Sequence, residues 1–127
     1  MSVIYQINRK LLQPQFDLDT YTVLANSPFK WIVTWGFRTL EEQAKLHDIY
    51  LHGGPLAAPP GESAHNFGLA IDVVLIDKDG HWNYNTFSLG WIWLFAKILN
   101  HPRLHSGKGF GDADHIERYK WYLHKVA

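Results

Sequence analysis

The sequence of 127 residues contains no cysteine, and this absence removes several kinds of site at once. Disulfides, thiolate metal centres and cysteine nucleophiles are all excluded. No sign of charge predominates either, because 12 acidic residues balance 12 lysines and arginines. A protein whose main partner is nucleic acid or an anionic membrane needs clustered positive charge. We therefore expect no nucleic-acid partner.

Long apolar runs are also missing. The longest spans residues 89–99, is too short to cross a bilayer and is interrupted by Gly90 and Lys97. It predicts a buried helix and no membrane insertion. The first ten residues, MSVIYQINRK, lack the apolar core of a signal peptide. Hydrophobic residues nonetheless make up 46% of the chain, enough for a dense core, and its length predicts a single domain over residues 1–127.

Apolar periodicity, glycines and prolines predict a mixture of helices and strands. The predicted helices span residues 3–12, about 18–26, about 40–51 and 88–99. The predicted strands span residues 31–34, 68–76 and about 115–118, with a hairpin turn at 77–80 that returns through Trp82 and Tyr84.

Local signals set several of these boundaries. Pro14 is expected to end the first helix, and a capping box of Thr39 and Glu42 to open the third. The Gly- and Pro-rich residues 53–64 predict an exposed loop beside a functional site. Because helices and strands do not alternate regularly, the expected class is α+β, with a small, mostly antiparallel sheet flanked by helices.

The segment SAHNFGLAID, residues 63–72, carries most of the chemical information. Side chains on a strand alternate between its two faces, so Gly68, Ala70 and Asp72 share one face. Such small neighbours leave room for an ion above the carboxylate of Asp72. His65 precedes this strand, and Gly68 would let the chain fold back so that the imidazole approaches Asp72.

The segment GDADHIE, residues 111–117, offers a second imidazole. Two imidazole nitrogens and one carboxylate match a catalytic zinc site, which keeps one position open for water. Calcium and magnesium prefer sites made of oxygen alone. We therefore predict one zinc ion on His65, Asp72 and His115. Asp112 is expected to act as general base, and Glu117, on the same strand face as His115, to support that imidazole.

Together these segments resemble the VanY-like family of zinc D,D-carboxypeptidases and L-alanyl-D-glutamate endopeptidases, which includes small phage endolysins. The resemblance runs from about residue 31 to 117 and includes GFRTLEEQ at 36–43. It implies a Hedgehog/DD-peptidase-like fold. Position by position, it implies the zinc ligands His65, Asp72 and His115, the catalytic base Asp112, and substrate contacts from Arg38 and Ser63. The sequence departs from the family at Trp35, usually a small residue, and at Ala113-Asp114, which replaces Trp-Pro.

The resemblance implies hydrolysis of the peptidoglycan stem peptide, with the L-alanyl-D-glutamate bond as the favoured target. A D-alanyl-D-alanine carboxypeptidase would use the same metal centre, and the motifs do not separate the two activities. Two other readings rank lower: a non-haem iron oxygenase, and a non-catalytic zinc-binding domain, against which Asp112 and Arg38 speak. The chain is expected to act as a monomer. Lacking a signal peptide, it is expected to be made in the cytoplasm and to reach the cell wall through a phage-type lysis system.

Overall fold

The computed structural model describes residues 3–125, which form six strands and three α-helices. The strands are β1 (Val3–Tyr5), β2 (Lys30–Trp35), β3 (Ala70–Ile76), β4 (Trp82–Asn83), β5 (Leu104–Ser106) and β6 (His115–Arg118). The helices are α1 (Pro14–Ala25), α2 (Leu40–Leu51) and α3 (Leu89–Leu99). The expected α+β class is confirmed. None of the described helices is long and apolar enough to span a bilayer.

All six strands belong to one sheet, in which the neighbours run β1-β2-β3-β6-β5. Among the described strands, only β1 and β2 pair in parallel, and the other pairs are antiparallel. Strand β3 lies at the centre, with β2 along one side, and β6 and the short β4 along the other. Its first residues pair with β6, so that Asp72 lies opposite His115. The central strand pair therefore brings together two of the predicted ligands.

The core is built from the sheet and from the inner faces of α1 and α3. The indoles of Trp31 and Trp91 meet edge to face, with ring centroids 5.1 Å apart, and both side chains are fully buried. Alternate residues of β3 and the inner residues of α1 and α3 complete it, chiefly Phe16, Leu24, Ile71, Val73, Leu94 and Ile98. This packing fixes β3, from which the site is built.

The first predicted helix is wrong. Residues 3–12 form β1 and a short 3-10 turn at Arg9–Leu11, and Pro14 begins α1 instead of ending a helix. Proline fits the first helical position because its missing N–H would have no partner there. The side chain of Gln13 caps α1 by accepting a hydrogen bond from the N–H of Phe16 at 2.7 Å. Strand β1 exists because β2 pairs with it, and no local pattern reveals that distant partner.

The other predicted elements are close to those observed. Helix α2 spans Leu40–Leu51 and opens with both hydrogen bonds of the predicted Thr39 capping box. The hairpin turn leads into β4, although Tyr84 lies just beyond that strand. Ser88 is the N-cap residue of α3, but its hydroxyl donates to the carbonyl of Asn85 and does not cap the helix.

Candidate metal centre

His65, Asp72 and His115 come together although they are distant along the chain. One ligand atom from each lies within 4.8 Å of the others. Oδ1 of Asp72 is 3.2 Å from Nε2 of His65 and 3.4 Å from Nδ1 of His115. Both histidines are buried, with 3% and 6% of their surface exposed. The structure thus forms the predicted three-residue cluster in a largely desolvated place.

Three separate elements hold these side chains. Asp72 and His115 face each other across β3 and β6. His65 lies in a short 3-10 turn, Ala64–Phe67. The hydroxyl of Ser63 caps this turn by accepting a hydrogen bond from the N–H of His65 at 3.3 Å. Gly68 closes this turn with φ +69°, a conformation that favours glycine. The chain then enters β3 directly, which returns it toward His65.

Hydrogen bonds away from the cluster fix the tautomer of each imidazole. Nδ1 of His65 lies 2.7 Å from the carbonyl oxygen of Gly36, which only accepts, so Nδ1 carries the proton and donates. Nε2 of His115 lies 2.7 Å from a carboxylate oxygen of Glu117 and likewise donates. In the neutral rings, the unprotonated nitrogens are then Nε2 of His65 and Nδ1 of His115. These two nitrogens lie 3.2 and 3.4 Å from Oδ1 of Asp72 and are the ones available to bind a cation there.

The electrostatics of the cluster favour positive charge beside Asp72. Burial by itself would raise the pKa of Asp72, but the two imidazoles outweigh it and hold that pKa far below its usual range. Burial would lower the pKa of His115, yet the hydrogen bonds with Asp72 and Glu117 outweigh it and raise the pKa to about 10. Two nitrogen donors and one carboxylate are a donor set that zinc accepts. The residues therefore fit a divalent cation.

Arg38 lies beside the cluster and is held from several sides. Its Nη1 donates to Oε1 of Gln43 at 3.0 Å, and its Nη2 lies 3.8 Å from Oδ2 of Asp72. The guanidinium carbon lies 4.4 Å from the centroid of the Trp35 ring. Burial lowers the pKa of Arg38, although the charge of Asp72 opposes the shift. Trp35, where the family usually has a small residue, is therefore a support for Arg38 and not part of the core.

The two acids before His115 differ in their surroundings. Asp112 follows the predicted bend, Gly111 with φ +81°, and its Oδ2 lies 3.8 Å from Nδ1 of His115. Its side chain is 34% exposed, which leaves it open to a substrate. At Asp114, burial together with the charge of Asp72 and a hydrogen bond with Asp112 raises the pKa to about 7. Asp114, at one of the positions where the sequence departs from the family it resembles, thus adds a second carboxyl group to the site.

The cluster opens into a cavity of about 810 Å³. Ser63 and Arg38 line it, as do residues 55–58 of the Gly- and Pro-rich loop, which lies beside the site as expected. Side chains of α2 anchor this loop: Nε2 of Gln43 donates to the carbonyl of Ala58 at 2.7 Å. Aromatic side chains form much of the remaining wall, namely Trp35, Trp82, Tyr84, Phe110 and Trp121. From the sequence, Trp35 is expected either to narrow the pocket or to enlarge the core, and it lines the cavity. The other four aromatics have no functional role predicted from the sequence, because exposure at a cavity leaves no local pattern.

A second group of potential ligands, Asp77, Asp79 and His81, lies in the turn between β3 and β4. Oδ1 of Asp77 already accepts hydrogen bonds from the backbone N–H groups of Asp79 and His81, both at 3.0 Å. Asp79 and His81 are exposed. These hydrogen bonds show that the group is held together by the structure of the turn, which accounts for its proximity without a metal ion.

Part of the chain is similar in sequence to a cell-wall peptidase. The chain is 44% identical over 62 residues to the peptidoglycan L-alanyl-D-glutamate endopeptidase CwlK of Bacillus subtilis, a match that covers 44% of this chain and 35% of that protein. The matched part is thus about a third of the length of this curated relative. No protein-family model matches the chain.

Solved structures of such peptidases share the fold. The Serratia marcescens L-Ala D-Glu endopeptidase ChiX superposes with a TM-score of 0.65 at 16% identity, covering 94% of this chain and 88% of that one. The LD-carboxypeptidase LdcB gives 0.63 at 16% identity, covering 99% and 76%. The D,D-dipeptidase VanXYg gives 0.61 at 16% identity, covering 84% and 50%. In sequence over part of its length and in fold over nearly all of it, the chain resembles the VanY-like carboxypeptidase and L-alanyl-D-glutamate endopeptidase family, which confirms the resemblance seen in its motifs.

Proposed function

We propose that this chain is a zinc-dependent peptidase that cleaves the peptidoglycan stem peptide between L-alanine and D-glutamate. One observation carries the proposal: one imidazole nitrogen each of His65 and His115 and a carboxylate oxygen of Asp72 converge in the wall of an open cavity. Three protein ligands and a vacant position are typical of catalytic zinc sites. The 44% identity to an endopeptidase that acts on this bond supports the choice of substrate.

Zinc held by these three residues would polarise the scissile carbonyl and make water a stronger nucleophile. Asp112 is placed to take a proton from the attacking water and to return it to the leaving amine, because its carboxylate lies beside His115 and faces the cavity. The fixed guanidinium of Arg38 supplies a positive charge for the substrate. Ser63, which caps the turn that carries His65, also lines the cavity and is proposed as a second substrate contact.

The decisive experiment is digestion of purified peptidoglycan with and without a chelator, followed by mass spectrometry of the products. We expect zinc-dependent cleavage after the first L-alanine of the stem. Loss of a terminal D-alanine would instead identify the D-alanyl-D-alanine carboxypeptidase, an activity for which the shared fold of VanXYg is the supporting observation. Metal analysis of protein purified without added metal should find zinc; iron would favour the oxygenase reading.

The role of Asp112 has its own test. In Asp112→Ala, turnover should fall by roughly 10²–10⁴-fold, the usual contribution of a general acid–base group, while one zinc ion per chain is retained. The exposed Asp48, on α2, provides a matched control, since Asp48→Ala removes a carboxylate outside the cavity. Unchanged turnover in Asp112→Ala, or loss of its zinc, would contradict the assignment. A chain that binds zinc but cleaves no peptidoglycan would instead be a non-catalytic zinc-binding domain.

A further inference from the structure

Two aromatic side chains at the cavity remain half exposed. Trp82 and Tyr84 line the same cavity as the metal cluster, yet 51% and 54% of their surfaces remain exposed. Among residues 3–125, neither side chain makes a hydrogen bond, a ring–ring contact or a cation contact. The other cavity aromatics do have partners: Trp35 lies under Arg38, Phe110 against His115, and Trp121 on Phe67.

The backbone that carries these two rings is firmly held. Trp82 pairs with Ile76 at the edge of β3, and the carbonyl of Asn83 accepts a hydrogen bond of 2.7 Å from the buried indole of Trp91. The side chain of Asn83 accepts from the N–H of Asn85, also at 2.7 Å. Both rings line the same cavity and so present their surfaces to one space. Rigid aromatic surfaces of this kind bind ligands at a low cost in conformational entropy.

The chemistry of the substrate indicates what these rings bind. The side chains of the stem peptide are small or charged, so the peptide offers no large apolar surface to stack on an indole. The pyranose rings of the glycan do offer one, because the C–H groups on a sugar face form a flat apolar patch rimmed by hydroxyl groups. Resting on the proposed function, we propose that Trp82 and Tyr84 form a stacking platform for the N-acetylated sugar to which the stem peptide is attached.

The position of the platform also bears on which bond is cleaved. An extended peptide spans about 3.3–3.6 Å per residue. In L-alanyl-D-glutamate cleavage, only the alanine separates the scissile bond from the group that joins peptide to sugar. Cleavage between the terminal D-alanines places about four residues there, which would carry the sugar well away from the cluster. A sugar site in the same cavity as the metal ligands therefore accords with the endopeptidase.

The test compares two substrates that differ only in their sugars: a disaccharide-linked tetrapeptide and the same tetrapeptide carrying an N-lactoyl group. We expect wild type to prefer the first, and Trp82→Ala and Tyr84→Ala each to reduce the ratio of the two kcat/KM values on the order of tenfold, chiefly through KM. Trp82→Phe, which keeps an aromatic face, should retain most of the preference. Phe87→Ala is the matched control, because Phe87 is 88% exposed but lies outside the cavity.

Equal losses on both substrates in Trp82→Ala would mean a merely structural role and would overturn the platform. Binding supplies a readout that does not depend on turnover: by calorimetry, Asp112→Asn should bind the disaccharide-linked tetrapeptide more tightly than the lactoyl tetrapeptide, and adding Trp82→Ala should remove the difference. If wild type cleaves neither substrate, the proposed function fails, and the calorimetric difference alone decides whether the platform exists.

Discussion

At the scale of single residues, a carboxylate oxygen of Glu117 makes a short contact to a candidate ligand, 2.7 Å from Nε2 of His115. It fixes the imidazole tautomer that turns Nδ1 toward Asp72. Partners of this kind usually contribute 10–100-fold to metal affinity. We expect Glu117→Ala to weaken zinc binding by about that factor, and Glu117→Gln by less because an amide oxygen still accepts the hydrogen bond. Competition with a chromophoric chelator measures the affinity.

The exposed Glu41 on α2 supplies the control for this prediction, since Glu41→Ala removes a carboxylate far from the cluster in sequence and outside the cavity. Zinc affinity in Glu117→Ala equal to that of wild type would show that the contact does not orient His115.

Sequence reasoning reached the cluster but only part of its surroundings. Asp72, His115 and Glu117 could be predicted from the sequence, because strand alternation is a local pattern that sets which side chains share a face. The role of the Gly36 carbonyl, which fixes the tautomer of His65, could not be predicted from the sequence. Every residue carries a backbone carbonyl, and no sequence pattern indicates which one a histidine will contact. The roles of Asp112, Arg38 and Ser63 stay predictions, although the structure brings all three to the cavity.

At the scale of elements, Gly68 links the His65 turn to the N-terminal segment. A Cβ atom at this position would lie 2.7 Å from the carbonyl oxygen of Leu11 and 3.0 Å from the backbone nitrogen of Gln13. Gly61 also has a positive φ, +80°, but a Cβ there meets nothing within 4 Å. The left-handed conformation alone costs a non-glycine residue about 1–2 kcal/mol. A substitution at Gly61 therefore tests the cost of the left-handed conformation alone, whereas one at Gly68 adds the cost of a steric clash with the backbone.

We expect Gly61→Ala to lower the free energy of unfolding by about 1–2 kcal/mol, and Gly68→Ala to lower it by clearly more, because backbone atoms of another segment must also move. Urea denaturation of both variants measures the difference. Equal losses of unfolding free energy in the two variants would mean that the N-terminal segment moves away from the new methyl group without destabilising the fold.

Elements whose ends are set by neighbouring residues were predicted well, and those set by distant partners were not. Helix α2 begins at its capping box because Thr39 and Glu42 satisfy each other locally. The sequence predicts a helix where β1 lies, because the parallel partner of β1, β2, is some 25 residues further along the chain. Pro14 is ambiguous by itself: it disfavours a helix before it and favours one after it.

At the scale of the whole molecule, an ion pair joins α1 to the segment that precedes β5. Both carboxylate oxygens of the buried Asp19, on α1, accept hydrogen bonds from Arg103, just before β5, at 2.7 and 2.9 Å. The hydrogen bond with Arg103 lowers the pKa of Asp19, although burial opposes the shift. A pKa depressed on folding stabilises the protein above the ordinary value of 3.8, and this contribution is lost as the pH falls through the folded pKa.

The stability of wild type should therefore exceed that of Asp19→Asn at pH 5–7, and the difference should shrink below pH 4. Denaturant unfolding across pH 2–7 measures both proteins. A difference that stays constant at acid pH would show that Asp19 contributes by packing and not by its charge.

Zinc should stabilise the folded chain, since its ligands converge only after folding. At a free zinc concentration 1,000 times the Kd, the expected gain is about 4 kcal/mol. Thermal unfolding with and without a chelator measures the shift, and it should be small in His65→Ala, which lacks a ligand. An equal shift in wild type and this variant would place the bound ion elsewhere.

The single-domain and monomer expectations stay predictions.

The direct opposition of Asp72 and His115 across β3 and β6 makes bound metal a reporter of strand registration. If β6 slipped by one residue, Ile116 would face Asp72, and the imidazole would turn to the reverse side of the sheet. A misaligned molecule would then lose the ion and its turnover together. If the chain binds zinc as proposed, zinc stoichiometry would count the correctly aligned fraction of any preparation, including a refolded one.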